Sequence, residues 1–292
     1  MASSRDIRRR IKSVKSTAQI TKAMQMVAAS KMRKAQQAAL AGRPYTTTMN
    51  RMLAELLPAT GDFSHPLMER RPGGSRCVIL VSTDKGLCGA LNSTLFREAA
   101  KFDKDTTVFI SAGRKAGQFL ARARRSLLAE FSYKDAPLFS EARAISKFVQ
   151  EGFLKGEYHQ VDVLFTNFVS TLTQRPEVIS LLPLHEISAV QAAPDGEKPG
   201  LALLKGATEF LFEPSTHEVL GALLPHYLNY RLYQVLLEAK ASEHSARMVA
   251  MKNATENANQ LVKDLTLQYN KMRQASITKE LLEIATAQMA LA

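Results

Sequence analysis

Tryptophan is absent, and only two cysteines, Cys77 and Cys88, occur in 292 residues. That number excludes a disulfide framework and a four-ligand zinc site, and it suits a reducing compartment. The histidines, His65, His159, His185, His217, His226 and His244, form no H-E-x-x-H or similar spacing, so metal and triad chemistry find no support. No run approaches 18 apolar residues, which excludes a membrane-spanning helix, and no apolar segment follows the basic start as a secretory signal requires. The opening is rich in Arg, Ser and Lys and poor in acid, a composition it shares with transit peptides. Acidic residues are scarce there: residues 1–57 hold 12 basic and 2 acidic groups, against 19 and 18 in 58–213 and 8 and 7 in 214–292. Almost the whole net charge of +12 therefore lies at the amino end. The middle and the carboxyl third are not themselves polyanion-binding surfaces.

Apolar residues make up 46% of the chain, enough for a sizeable core in about two domains of roughly 150 residues each. In the amino segment Ile7, Ile11, Val14, Ala18, Thr21, Gln25, Ala28, Met32, Ala35 and Ala39 recur at alternating steps of four and three, the repeat of a two-stranded coiled coil. Small residues dominate this seam and permit close approach of a second helix. Gly42-Arg43-Pro44 is expected to kink or stop the helix, yet Met49, Met52, Leu53, Leu56 and Leu57 resume the spacing, which predicts helix to about residue 57. The carboxyl segment mirrors this with Leu228, Leu232, Val235, Ala239, Ser242, Ala246 and Val249. After a slip, read as a stutter, the seam continues through Ala254, Ala258, Leu261, Leu265, Gln268, Met272, Ala275, Lys279 and Leu282. Its last turns carry Leu281, Leu282, Ile284, Met289 and Leu291 on more than one face, so this end should be enclosed by something.

The middle alternates. Strands are expected at 77–82, 107–111, 127–132 and 161–170, helices at 91–102, 114–124 and 138–155, a further strand at 178–184 and a polar loop at 190–200. This succession predicts a small doubly wound sheet. The turn Asp84-Lys85-Gly86-Leu87-Cys88-Gly89 stands where a phosphate loop would, but it fits neither G-x-G-x-x-G nor G-x-x-x-x-G-K-[ST] and reads as a structural turn. Cys88 is either a thiol near a helix amino terminus or a small packed residue. The basic amino-terminal helix has three readings: a nucleic-acid helix, a solvated face, or a cationic shaft passing acidic protein loops. The first is disfavoured because residues 1–40 contain no aromatic and spread their charge around. A nucleotide-dependent oxidoreductase built on the central sheet is a further rival.

Four stretches carry a resemblance: ITKAMQMVAASKMRKAQ (20–36), STDKGLCGALN (82–92), ASEHSARMVAMKNATENA (241–258) and YNKMRQASITKELLEI (269–284). They resemble the gamma subunits of F-type ATP synthases, in order and over essentially the whole chain. Residues 185–210 and the final QMALA are the least family-like. The resemblance implies an α/β chain with a long antiparallel two-helix coiled coil, from residues 1–57 and 214–292, and a central Rossmann-like α/β domain at 58–213 that binds no nucleotide. It implies a rotor shaft carrying torque from a proton-driven c ring to the catalytic beta subunits, with no catalytic residue, cofactor or metal of its own. The implied partners are alpha and beta subunits, the epsilon subunit, the membrane c ring and inhibitor proteins, with no nucleic acid. No presequence and no chloroplast-type cysteine insertion is seen, so the expected place is the cytoplasmic face of a bacterial inner membrane. Carried over by position, Met24, Lys31, Arg33, Lys34 and Arg247 pass acidic loops of beta. Arg273, Gln274, Thr278 and Glu280 match polar contacts to the upper catch loops of the ring.

Overall fold

The computed structural model describes residues 4–59, 64–71, 73–184, 213 and 215–291. The chain divides into two compact units, Met1–Ala29 with Arg247–Ala292, and Ser30–Ala246. Two long helices, α1 (Ser4–Ala59) and α5 (Thr216–Leu291), contribute to both.

The larger unit holds the sheet. Its elements are β1 (Arg76–Val81), α2 (Leu91–Ala100), β2 (Thr107–Ala112), α3 (Arg114–Arg122), β3 (Ser126–Phe131), α4 (Phe139–Lys155), β4 (Gln160–Phe168) and β5 (Gln174–Leu182). The strand order is β3-β2-β1-β4-β5. The pairs β1/β2, β1/β4 and β2/β3 are parallel, and β4/β5 is antiparallel. The unbroken apolar run of β1 follows from burial on both faces. Val78 and Leu80 pack with Leu95 of α2 and Ala116 and Leu120 of α3. Cys77, Ile79 and Val81 point the other way, into a core with Ile145, Val149 and Phe153 of α4 and with Leu53, Leu224, Leu228, Leu232 and Leu236 of the long helices. The predicted strands and helices of the middle all form, and the 178–184 segment becomes the carboxyl half of β5. The loop expected at 190–200 lies outside the described residues.

Within this unit α1 and α5 run antiparallel. Tyr230 Oη donates to the Gly42 carbonyl at 2.8 Å, Gln234 Nε2 to the Ala39 carbonyl at 3.4 Å, and Tyr45 Oη lies 2.9 Å from His226 Nε2. Gly42-Arg43-Pro44 does not stop the helix, which continues to Ala59, close to the expected end near residue 57. A Cβ on Gly42 would meet Tyr230 Oη at 2.6 Å, so this glycine serves close helix approach and not termination.

In the smaller unit the amino-terminal seam is as expected. Ile7, Ala18 and Ala28 are buried, Ile11, Val14, Thr21 and Gln25 half-buried, and the residues between them are mostly exposed. Thr21 Oγ1 and Thr255 Oγ1 share a hydrogen bond of 2.7 Å between the two helices. The carboxyl seam needs correction. Leu261 and Gln268 are exposed; Ala254 is half-buried as expected, and the other covered positions are Met251, Thr255, Ala258, Val262, Leu265, Tyr269 and Met272. From Met251 through Thr255 to Met272 the steps also alternate four and three, with Val262 in place of Leu261 and Tyr269 in place of Gln268. Packing turns Val262 inward and leaves Leu261 exposed. Beyond Met272 the covering ends, so Ala275, Lys279 and Leu282 are exposed too.

Candidate functional site

In a doubly wound sheet a ligand binds outside the carboxyl ends of the strands, where the strand order reverses. Here that is beside β1 and β4, and the chain fills the place with its own groups. The Asp84 carboxylate accepts the Arg114 amide at 3.0 Å and Ser82 Oγ accepts the Ala116 amide at 2.7 Å. The first turn of α3 thus already holds a carboxylate where a phosphate would sit. Gly113, at φ +102, lets the chain turn there, and a Cβ on it would stand 2.3 Å from the Ser82 carbonyl oxygen. The turn before α2 closes on itself, with Thr83 Oγ1 donating to the Lys85 carbonyl at 2.8 Å and Asn92 Nδ2 donating to Thr83 Oγ1 at 2.8 Å. Tyr133, Thr166, Ala239 and Glu243 narrow the crevice beside β1 and β4 to a cavity of about 10 Å³, while an open hollow of about 450 Å³ lies nearby over Asp84, Arg114, Ser132, Lys134 and Glu141. The smaller cavity has room for one water at most.

The cysteines are packed residues. Cys88 is buried, with Asn92 Nδ2 3.4 Å from its sulfur. Cys77 is fully buried, and desolvation, with a smaller contribution from the Asp162 charge, pushes its thiol up to about 12. It is held as an unreactive thiol at neutral pH. Among the described residues no group of His, Cys, Asp or Glu is placed to hold a metal ion, and no helix is long and apolar enough to cross a membrane.

The nine residues singled out in sequence fall in both units. In the smaller unit Met24 and Arg247 are half-buried, while Arg273, Gln274, Thr278 and Glu280 are exposed. Those last four lie within two turns of α5, beyond the covered seam. Thr278 Oγ1 donates to the Gln274 carbonyl at 2.9 Å, and Ser276 Oγ to Glu280 at 3.2 Å. Around them Ile277, Leu281, Leu282, Ile284 and Met289 are between 48% and 81% exposed. In the larger unit Arg33 and Lys34 are exposed beside the buried Met32 and Ala35. Lys31 is different: its ammonium pairs with Asp135 at 2.5 Å.

Sequence reasoning passed over a buried polar run in α5. Lys240, Ser242, Glu243, His244 and Ser245 are all 2% exposed or less. Lys240 Nζ meets Glu243 at 2.9 Å, stands 3.9 Å from Asp135 and lies 4.6 Å from the centre of the Tyr133 ring. Ser245 Oγ donates to the Thr171 carbonyl at 2.7 Å. The available signal was a Lys–Glu pair three apart on a stretch otherwise rich in small seam residues. Asp135 is held below the usual carboxylate range, first by the Lys31 hydrogen bond, against an opposing desolvation, and then by the charges of Lys240, Lys31 and His244. Tyr133 is pushed well up by burial, with smaller contributions from Glu243, Asp84 and Glu141.

Comparison with known proteins follows the same lines. A family model described as ATP synthase matches residues 3–291. The ATP synthase gamma chain of Opitutus terrae is 49% identical over the full length of both chains, and that of Methylacidiphilum infernorum 47%. The chain belongs to the ATP synthase gamma chain family. Among solved structures, a chain of the rotor of the Euglena gracilis mitochondrial ATP synthase superposes with a TM-score of 0.64 at 20% identity, covering 94% of this chain and 98% of that one. A chain of the same synthase in an F1 and c-ring assembly gives 0.67 at 19% identity, covering 99% and 94%. At such identities the likeness concerns the fold. As a gamma family member the chain is a component of ATP synthase.

Proposed function

We propose that this chain is the central rotor shaft of a bacterial F1Fo ATP synthase and that it carries no catalytic group of its own. Torque from a proton-driven c ring passes through it to the beta subunits, whose nucleotide affinities it biases by differential contact alone. One observation carries this reading: the last turns of α5 expose Ile277, Leu281, Leu282, Ile284 and Met289 together. Covering each fully is worth up to about 1.5–3 kcal/mol. A helix end apolar on several faces calls for a surrounding sleeve, which a ring of alpha and beta subunits supplies.

In this reading Met24, Lys31, Arg33, Lys34 and Arg247 pass the acidic loops of beta, while Arg273, Gln274, Thr278 and Glu280 meet the upper loops of the ring. Residues 1–40 carry ten basic groups against Asp6 alone, which steers the helix toward acidic surfaces. Lys31 also pairs with Asp135 of its own chain. The epsilon subunit, the c ring and inhibitor proteins complete the partners, at the cytoplasmic face of the inner membrane. The test is co-expression with the cognate alpha and beta subunits. A complex containing this chain should hydrolyse ATP steadily, while the chain alone should hydrolyse none. Failure to enter such a complex overturns the proposal.

A further inference from the structure

The connection between β3 and α4, residues 132–138, is fastened at Tyr133, Lys134, Asp135 and Leu138. Tyr133 Oη donates to the Ser82 carbonyl at 3.1 Å, at the end of β1. The Glu141 carboxylate accepts the Leu138 amide at 2.8 Å and the Lys134 amide at 3.3 Å. Between these anchors Asp135 offers one oxygen to Lys31 of α1 at 2.5 Å, while its other lies 3.9 Å from Lys240 of α5. Lys240 is 1% exposed and also holds Glu243 at 2.9 Å. Two ammonium groups thus face two carboxylates, a balance that a buried lysine needs. Asp135 is the atom-level meeting point of the sheet, α1 and α5.

The rest of the contact between the α/β domain and these helix segments is mostly apolar, through Leu53, Leu224, Leu228, Leu232 and Leu236, with neutral hydrogen bonds from Ser245 Oγ to the Thr171 carbonyl and from Gln150 Nε2 to Asn229 Oδ1. Apolar burial resists separation but has no direction, so it resists sliding and turning weakly. Charge-assisted hydrogen bonds are directional and fix position. We propose that the 132–138 strap is the joint that makes the α/β domain and its two helix segments turn as one body under load. Asp135 is its positioning residue, with Lys31 and Lys240 as the groups it grips. This rests on the rotor reading and adds a role for Lys31 that faces inward, toward its own chain.

The experiment uses assembled synthase in inverted membrane vesicles. ATP hydrolysis is measured with a protonophore present, where the rotor turns without load, and ATP synthesis is measured against an imposed proton gradient, where it turns under load. In Asp135→Asn the unloaded hydrolysis should match the native enzyme, while synthesis falls about two- to fivefold, the range an ion pair of this exposure supports. Asp135→Glu should restore most of the synthesis. A variant that merely folds or assembles poorly would lower both rates alike, leaving their ratio unchanged. If Asp135→Asn does not assemble, Lys31→Gln, an exposed change at the other end of the pair, should lower the same ratio. A native ratio in the assembled variants overturns the joint. Absence of gradient-driven synthesis in vesicles holding the native chain overturns the rotor reading, and the joint with it.

Discussion

Close approach of the two helices requires small residues in the seam, and Ala28 tests that requirement most sharply because it is only 2% exposed. Ala28→Leu adds three carbons where the neighbouring seam positions, Thr21 and Gln25, are already half-buried. Overpacking of this kind costs about 1–3 kcal/mol. For a chain of this size each kcal/mol lowers the melting temperature by about 2–4 °C, so a fall of about 2–12 °C is expected. Gln19→Leu is the control: it adds a similar apolar side chain at an exposed position and should change stability by no more than about 0.5 kcal/mol. The assay is thermal melting of the purified chain followed by far-ultraviolet circular dichroism. An Ala28→Leu variant that melts at or above the native temperature would refute the argument that small residues are there for close packing.

Other expectations follow from the same structure. Leu281→Glu changes a residue that is 62% exposed, so the isolated chain should keep its stability to within about 0.5 kcal/mol. Its entry into a complex with alpha and beta subunits, followed by gel filtration, should weaken about tenfold or more, since a charge would be buried in an apolar sleeve. Gly113→Ala places a Cβ 2.3 Å from a backbone oxygen at φ +102. The strained backbone alone costs about 1–3 kcal/mol, which a lowered urea midpoint would register. Cys77 titrates near 12 when folded against a reference of 9.0. Between those values the unfolded chain has lost a proton that the folded chain keeps, so stability should fall as pH rises through that window. In Cys77→Ala that part of the slope in urea unfolding should vanish.

Much of this architecture is legible in the residues because its patterns are long. Alternating steps of four and three from Ile7 to Ala39 leave little choice but a paired helix, and CVILV could only be a strand covered on both faces. The carboxyl seam was legible as a helix but not in register. Leu261 and Val262 are both apolar neighbours, and only packing decides which one turns inward. Gly42 shows the same limit: glycine that breaks a helix and glycine that admits a tyrosine look alike in sequence. The polar run at Lys240–Ser245 was hidden for a different reason. Its partners, Asp135 and Thr171, come from connections far away in the chain, and no local period announces a buried charge. The proposed rotor contacts of Arg273 and Thr278 came from resemblance alone, since an exposed helical residue carries no physical sign of the partner it will meet.

Torque transfer is tested most directly by watching the chain turn. With alpha and beta subunits fixed to a surface and a bead attached to the α/β domain of this chain, addition of ATP should produce sustained rotation in one direction. A complex that hydrolyses ATP at full rate while the bead stays still would contradict the account.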